Sequence, residues 1–158
     1  MFDASSILHG WDNYPPEQFP ALWAWLGNTV EQGEYSISPI AFAEVSAKAP
    51  ECGDWLNIHS IQKIRPDENT LQMALSIKAA LGIVEDQYHG NGVGENDILI
   101  VATASCIGAG LVSDEAIQTS LPVSKSKYKI PAVCDLDSVR VECTNFVSLI
   151  KDSGEVFG

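Results

Sequence analysis

Four acidic residues of this chain occupy positions that are typical of metal ligands: Asp3, Glu44, Asp97 and Asp114. Asp3 ends an N-terminal apolar run, and Asp114 ends a second one that begins at Leu111. Ligands of an open α/β sheet bind beyond the carboxyl ends of its strands, so these two carboxylates are predicted on one rim. We expect helices beside that rim to add Glu44 and Asp97, which gives one metal-binding pocket.

Carboxylate oxygens are hard ligands, and Mg²⁺ and Mn²⁺ prefer such ligands. Several carboxylates held close together without a metal repel one another, so some of them take up protons. A bound divalent cation keeps them ionised and makes them ligands. These four carboxylates would suit Mg²⁺ or Mn²⁺ as a cofactor.

Glu44 and Asp97 each have a structural interpretation as well as a chemical one. Glu44 is predicted to point inward between Ala43 and Ala47, where an unpaired carboxylate is costly. It then needs a metal or a buried ion pair, and the spacing leaves these alternatives nearly even. Asn96 is a good helix cap, and Asp97 in the first turn favours the positive end of the helix dipole.

Apolar periodicity predicts the elements that position these acids. Helices are predicted over residues 19–30, from Ser38, over 54–59, from Asp67 to 81, from Asn96 and over 146–150. Two short strands are predicted to end at Asp3 and at Asp114. Two more are predicted over residues 35–38 and 139–141. Residues 85–95 are predicted to form a mobile loop, which is either a lid or a connector.

At 158 residues the chain is predicted to form a single domain, residues 1–158. Its net charge of −12 is unusual for a protein that binds nucleic acid, because phosphate contacts normally depend on lysine and arginine. A divalent metal would reverse the local sign of the charge. Solubility alone also explains surface carboxylates.

The four cysteines form no Cys-x-x-Cys pair, which favours reduced, buried thiols. The sequence has no basic and apolar leader, and its longest apolar stretch, residues 98–104, is too short to span a bilayer. We therefore expect a cytoplasmic protein with no membrane partner.

The only basic cluster contains Lys125, Lys127, Tyr128 and Lys129. Lysines of this kind protect an edge strand from aggregation. They also suit an RNA backbone, with Tyr128 stacked on a base. The sequence leaves both interpretations open.

Three segments of the chain resemble PIN-domain ribonucleases: residues 2–8 (FDASSIL), 96–104 (NDILIVATA) and 112–114 (VSD). The resemblance covers almost the whole chain. Residues 11–15 (WDNYP), 19–20 (FP), 129–134 (KIPAVC) and 154–157 (GEVF) look most like a PIN-like branch of bacterial and archaeal proteins. No single motif is highly specific, and the order of all of them carries the resemblance.

The resemblance implies a three-layer α/β/α PIN-like fold with a central, mainly parallel sheet. It assigns the catalytic and metal-binding roles to the same four acids. Ser5, where many PIN proteins carry asparagine, and Ser113 would orient the acids or the water. Glu115 either helps to bind a second metal or is a solvated neighbour of Asp114.

The function implied is a metal-dependent endoribonuclease, the toxin of a toxin–antitoxin pair. Its partners would be an RNA substrate, a cognate antitoxin protein and a second copy in a homodimer. The alternative is a catalytically weak PIN-like module that binds or regulates another protein. A phosphatase with an aspartyl nucleophile is disfavoured, because no second acid stands two residues after Asp3.

Overall fold

The structure is a computed structural model that describes residues 1–157, a chain of mixed α/β class. Its helices are α1 (Ala4–Asn13), α2 (Pro20–Glu31), α3 (Pro39–Lys48), α4 (Pro50–Ile58), α5 (Glu68–Ala80), α6 (Glu95–Ile107), α7 (Ile130–Cys134) and α8 (Phe146–Ser153). Its strands are β1 (Ser36–Ile37), β2 (Gln62–Lys63), β3 (Leu111–Val112) and β4 (Cys143–Thr144).

The chain forms two compact units. The first unit consists of Met1–Ile64, Val112–Asp114 and residues 145–157. The second unit consists of Arg65–Leu111 and Glu115–Thr144. The first unit therefore contains Asp3, Glu44 and Asp114, and the second contains Asp97.

Parallel pairing organises the first unit around Phe2. Strand β1 pairs in parallel with β2, and Phe2 forms parallel bridges to both Ile37 and Val112. The Phe2 N–H donates to the Ser36 carbonyl at 2.7 Å, and the Val112 N–H donates to the Met1 carbonyl at 2.8 Å. Because parallel segments end at the same edge, Asp3 and the residues after Val112 lie side by side.

Helix α1 follows Phe2 directly and was not among the predicted helices. Asp3 caps its N-terminus, and its buried side includes Ala4, Ile7 and Gly10, which are spaced by three residues. Gly10 is required by packing, because a Cβ there would lie 2.5–2.8 Å from three ring atoms of Phe146. Helix α8 can therefore approach α1 closely.

The apolar stripe predicted for α2 is confirmed, since Leu22, Trp23, Leu26 and Val30 are all buried. Phe19 lies just before the helix and is exposed. The cap predicted for α3 is also confirmed, because the Ser38 hydroxyl accepts from the Ala41 N–H at 3.0 Å.

In the second unit α5 begins after Asp67, as predicted, and Asp67 accepts from the Thr70 N–H at 2.8 Å. The predicted strand at 139–141 is wrong. Arg140 has a φ of 49°, which breaks an extended segment, and the strand is β4, two residues later. The Leu111 N–H donates to the Glu142 carbonyl at 2.8 Å.

The lysine segment forms a single turn of 3₁₀-helix over Lys125–Lys127, so of its two interpretations the protection of an edge strand is not supported. Two of the four cysteines, Cys52 and Cys134, are buried as expected, whereas Cys106 is exposed. Within residues 1–157, no helix has the length and apolar character needed to cross a membrane.

Candidate functional site

Asp3 lies at the centre of a buried polar cluster in the first unit. Only 4% of the residue is exposed, although it carries a carboxylate. As the cap of α1, it accepts hydrogen bonds from both the backbone N–H and the hydroxyl of Ser5, at 3.3 and 2.5 Å. The helix start therefore fixes where this carboxylate points.

Ser113 connects the end of β3 to the same carboxylate. Its hydroxyl donates to Asp3 Oδ2 at 3.0 Å, and its oxygen lies 3.2 Å from the oxygen of Ser5. The Asp114 N–H in turn donates to the Ser5 hydroxyl at 3.0 Å. Asp3, Ser5, Ser113 and Asp114, hereafter the acidic cluster, thus form one hydrogen-bonded group.

The Asp114 side chain is 12% exposed and is held from two sides. Its Oδ2 accepts from the Phe146 N–H at 2.9 Å, at the start of α8. Its Oδ1 lies 3.8 Å from Nδ1 of His9, within ion-pair range when His9 is protonated. The predicted neighbourhood of Asp3 and Asp114 is confirmed.

Burial raises the pKa of Asp3 above its ordinary value, because removal from water penalises the charged form. Hydrogen bonds from Ser5 and Ser113 act in the opposite direction and favour the carboxylate. Burial is the larger effect. The hydroxyl groups of Ser5 and Ser113 thus stabilise the ionised form of Asp3 and offset part of the effect of burial.

Glu44 differs from its predicted environment. Its side chain is 40% exposed and its neighbours Ala43 and Ala47 are exposed, so the expected inward orientation is wrong. The carboxylate pairs with Lys48 one turn later, with Nζ 2.7 Å from Oε1. Its partner is thus a cation on its own helix.

Lys48 also relates this ion pair to the acidic cluster. The hydrogen bond and the charge of Glu44 raise the pKa of Lys48, and the charge of Asp3 adds a smaller contribution. Asp3 is therefore within electrostatic reach of Lys48. The ammonium group of Lys48 bonds to Glu44, and Asp3 acts on it only through its more distant charge.

Asp97 lies in the first turn of α6 in the second unit and is half-buried. Its Oδ2 accepts from the Gly94 N–H at 2.8 Å. The helix cap is Gly94, so the prediction of Asn96 as cap is wrong. This bond supports the structural interpretation of Asp97, and its role as a metal ligand stays a prediction.

Glu115 has a structural role in the second unit. Its carboxylate accepts from the Ile130 N–H at 2.9 Å, where α7 begins, and lies 3.7 Å from Nζ of Lys129. Tyr128 is only 8% exposed, which leaves little of its ring available for stacking on a base. Lys125 and Lys127 are exposed, and Lys129 is half-buried.

The acidic cluster has the donor chemistry that Mg²⁺ and Mn²⁺ prefer, because it presents carboxylate and hydroxyl oxygens. Mg²⁺ is commonly held by one or two carboxylates, with water and substrate phosphate completing its shell. Among residues 1–157, no three His, Cys, Asp or Glu side chains are grouped as ligands of one ion. Asp3 and Asp114 are the two carboxylates of the acidic cluster, and their role as metal ligands stays a prediction.

Sequence reasoning missed His9 and Lys48. Both stand four residues after a predicted site residue on one helix, His9 after Ser5 and Lys48 after Glu44. Residues four apart lie on the same helical face, so this spacing was an available signal. Because α1 was not predicted, the pair of Ser5 and His9 was not recognised.

The parallel segments, the capping helices and the acidic cluster define a mixed α/β protein with a polar site at strand ends. Residues 1–157 match the family model described as "Domain of unknown function (DUF4411)", and the chain belongs to that family. Comparison with curated proteins gave no match, and comparison with solved structures gave none either.

Proposed function

We propose that the chain is a metal-dependent endoribonuclease that hydrolyses RNA phosphodiester bonds with Mg²⁺ or Mn²⁺. The acidic cluster carries the proposal, because it holds Asp3 and Asp114 together at the ends of two neighbouring parallel segments. A buried carboxylate with a raised pKa costs stability, and such groups are typical of functional sites. The DUF4411 description names no activity.

The proposal includes a PIN-like three-layer α/β/α fold with a central, mainly parallel sheet. The parallel bridges of Phe2 to Ile37 and Val112 support it. In such a fold Glu44 and Asp97 would each serve as a further metal ligand. Lys48 would then leave Glu44 when the metal binds.

Each residue of the acidic cluster has a distinct task in this proposal. Asp3 and Asp114 hold the metal. Ser5 and Ser113 keep the carboxylate of Asp3 ionised and oriented. Outside the cluster, His9 faces Asp114. The bound ion would activate water and offset the charge that develops on the attacked phosphate. Exposed Lys125 and Lys127 would contact the RNA backbone.

In the cell, we propose a cytoplasmic toxin that a cognate antitoxin protein restrains, and that assembles as a homodimer. A second candidate function is a catalytically weak PIN-like module that binds or regulates another protein. The ion pair between Glu44 and Lys48 favours this alternative, because it already neutralises one proposed ligand. Metal-dependent cleavage separates the two functions.

The test is incubation of the purified protein with mixed RNAs, with Mn²⁺ and with excess EDTA, followed by mapping of the cut ends. Cleavage should require Mn²⁺. Asp3→Asn and Asp114→Asn should each reduce it by more than the roughly 10–100-fold that loss of an outer-shell partner costs.

Asp152→Asn is the matched control, because Asp152 is exposed on α8 and outside the acidic cluster. It should cleave as the wild type does. Cleavage that persists in EDTA, or that is equal in all three variants, contradicts the proposal. Complete absence of cleavage with Mn²⁺ favours the binding module.

A further inference from the structure

A groove of about 500 Å³ opens on the first unit, between the outer side of α4 and the segment that follows α1. Its lining shares no residue with the acidic cluster. A volume of this size is within the range of sites that bind several side chains or a small ligand. The groove therefore needs its own explanation.

One wall is a single stripe of α4. Glu51, Asp54, Trp55 and Ile58 line the groove, and their spacing of three, four and seven residues places them on one helical face. Ile58 is 75% exposed, and Trp55 is half-buried. This outer face thus carries two large apolar side chains among its acids.

The opposite wall is Trp11 with Pro15 and Pro16. The turn after α1 is fixed, because the N–H groups of Gln18 and Phe19 both donate to the Pro15 carbonyl, at 2.9 and 3.0 Å. Proline adds rigidity because its φ angle is restricted. This wall is preformed.

Trp23 holds the two walls in place from below. Its buried ring meets Trp11 edge to face at 5.0 Å and Trp55 edge to face at 4.9 Å. Contact with Trp23 holds the side chains of Trp11 and Trp55 in place before a ligand binds. Little conformational entropy would therefore be lost on binding. The aromatic floor is therefore suited to recognition.

The charge of the groove indicates its ligand. Glu17, Glu51 and Asp54 are exposed in its lining, and within the described residues 1–157 that lining contains no lysine, arginine or histidine. Indole faces attract arginine and lysine, and carboxylates at the rim pair with the same cations. RNA would be repelled by this rim, whereas a basic protein segment is complementary to it.

We propose that this groove binds an extended basic peptide segment of a partner protein, in which arginine or lysine alternates with apolar residues. The cationic groups lie over the indoles and beside the carboxylates. The apolar residues cover Ile58 and the two prolines. This inference is independent of the proposed nuclease activity, since the two sites use different residues.

The experiment measures fluorescence anisotropy of a short labelled peptide, capped at both ends, in which arginine alternates with leucine. A peptide with glutamate in place of arginine is the charge control. Glu51→Gln combined with Asp54→Asn should weaken binding of the arginine peptide about three- to tenfold, the effect of losing two exposed ion pairs. Ile58→Ser should also weaken it, with the same salt dependence as the wild type.

Glu85→Gln combined with Glu155→Gln is the matched variant, because both residues are exposed and outside the groove lining. It removes the same charge and should bind the arginine peptide as the wild type does. All substituted positions are exposed or half-exposed, and thermal melting checks that each variant is folded.

Equal weakening in the two double variants overturns the proposal, because the net charge would then be the attractor. Failure of the wild type to bind the arginine peptide overturns it as well. Spermidine that displaces the peptide at equal concentration assigns the groove to small polycations. If the wild type self-associates and only the Glu51 and Asp54 substitutions abolish this, the groove is assigned to a second copy of the chain. Either result overturns the peptide as occupant.

Discussion

The hydroxyl of Ser113 donates a 3.0 Å hydrogen bond to the carboxylate of Asp3, across 110 positions of sequence. Ser5 donates to the same oxygen, so both hydroxyl protons are used when Asp3 is ionised. Burial opposes that charge and the serines favour it. The protonation state of Asp3 therefore depends on two residues that have no charge of their own.

Asp3→Asn should stabilise the protein at neutral pH. The pKa of Asp3 is raised above the value of about 3.9 expected in an unfolded chain. The folded state thus binds the carboxyl proton of Asp3 more tightly than the unfolded chain does. The resulting gain in folding free energy is complete below about pH 3.9 and is lost as pH rises through the folded pKa. A gain of 1 kcal/mol corresponds to roughly 2–4 °C in Tm.

Thermal unfolding of both proteins between pH 4 and 8 measures this effect. The difference in Tm should be largest at neutral pH and should narrow as the solution is acidified. Asp152→Asn, at an exposed position, should show no such trend. A lower Tm for Asp3→Asn at neutral pH would mean that the hydrogen bonds to the carboxylate outweigh its burial.

Ser113→Ala should raise the pKa of Asp3 further, because it removes a donor that favours the charged form. A carbon-13 NMR titration of the Asp3 carboxyl measures the change. Ser6→Ala is the control, since the Ser6 hydroxyl donates to the backbone carbonyl of Asp3 and not to its carboxylate. If the pKa of Asp3 moves equally in both variants, general packing at the helix start is responsible.

Lys48→Met should increase the affinity for Mn²⁺ by about twofold if Glu44 joins the metal site, because an exposed ion pair one turn apart contributes about 0.3–0.5 kcal/mol. The ammonium group would no longer compete for the carboxylate. Isothermal calorimetry measures the affinity. Lys151→Met, on α8, is the control for the net charge. Unchanged affinity would remove Glu44 from the metal site.

Gly10→Ala should destabilise the first unit by about 1–3 kcal/mol, the usual cost of overpacking. The new methyl group would meet the Phe146 ring, which must shift. Denaturant unfolding measures the loss. Gly90→Ala should have little effect, because a Cβ there meets nothing within 4 Å. Adding Phe146→Leu to Gly10→Ala should recover part of the loss, and no recovery would argue against this clash.

Replacing Lys125, Lys127 and Lys129 by alanine should weaken RNA binding if the cluster neutralises phosphates. For each phosphate that is no longer neutralised, the slope of log affinity against log salt should fall by about 0.7–0.9. Binding measured over a series of salt concentrations gives this slope. Lys63→Ala and Lys151→Ala, at exposed positions, provide the comparison. An unchanged slope in the triple variant would leave the cluster without a role in RNA binding.

Long periodic patterns were sufficient to predict several helices. The stripe of Leu22, Trp23, Leu26 and Val30 predicted α2, and the caps Ser38 and Asp67 predicted the starts of α3 and α5. These signals are local, because a helix places its apolar side chains and its cap within a few residues. The neighbouring positions of Asp3 and Asp114 were predictable on a different ground, because the carboxyl ends of parallel strands meet at one edge of a sheet.

Other features depend on contacts between distant segments, which periodicity does not contain. The alternation of Val139 and Val141 predicted a strand, but the positive φ of Arg140 breaks it, and a two-residue strand such as β4 has no measurable period. Tyr128 is buried by its tertiary surroundings. Glu44 was expected inside because its alanine neighbours are small, yet that side of α3 is exposed.

The pairing of Phe2 with both Ile37 and Val112 has a consequence during synthesis on the ribosome. The first unit draws its residues from three stretches of chain, the last of which carries α8. A nascent chain that ends before residue 112 lacks Ser113 and Asp114, so the acidic cluster cannot assemble co-translationally until most of the polypeptide has emerged. Pairing across so many residues is also slow to form, and the early N-terminal segment remains available to chaperones until then.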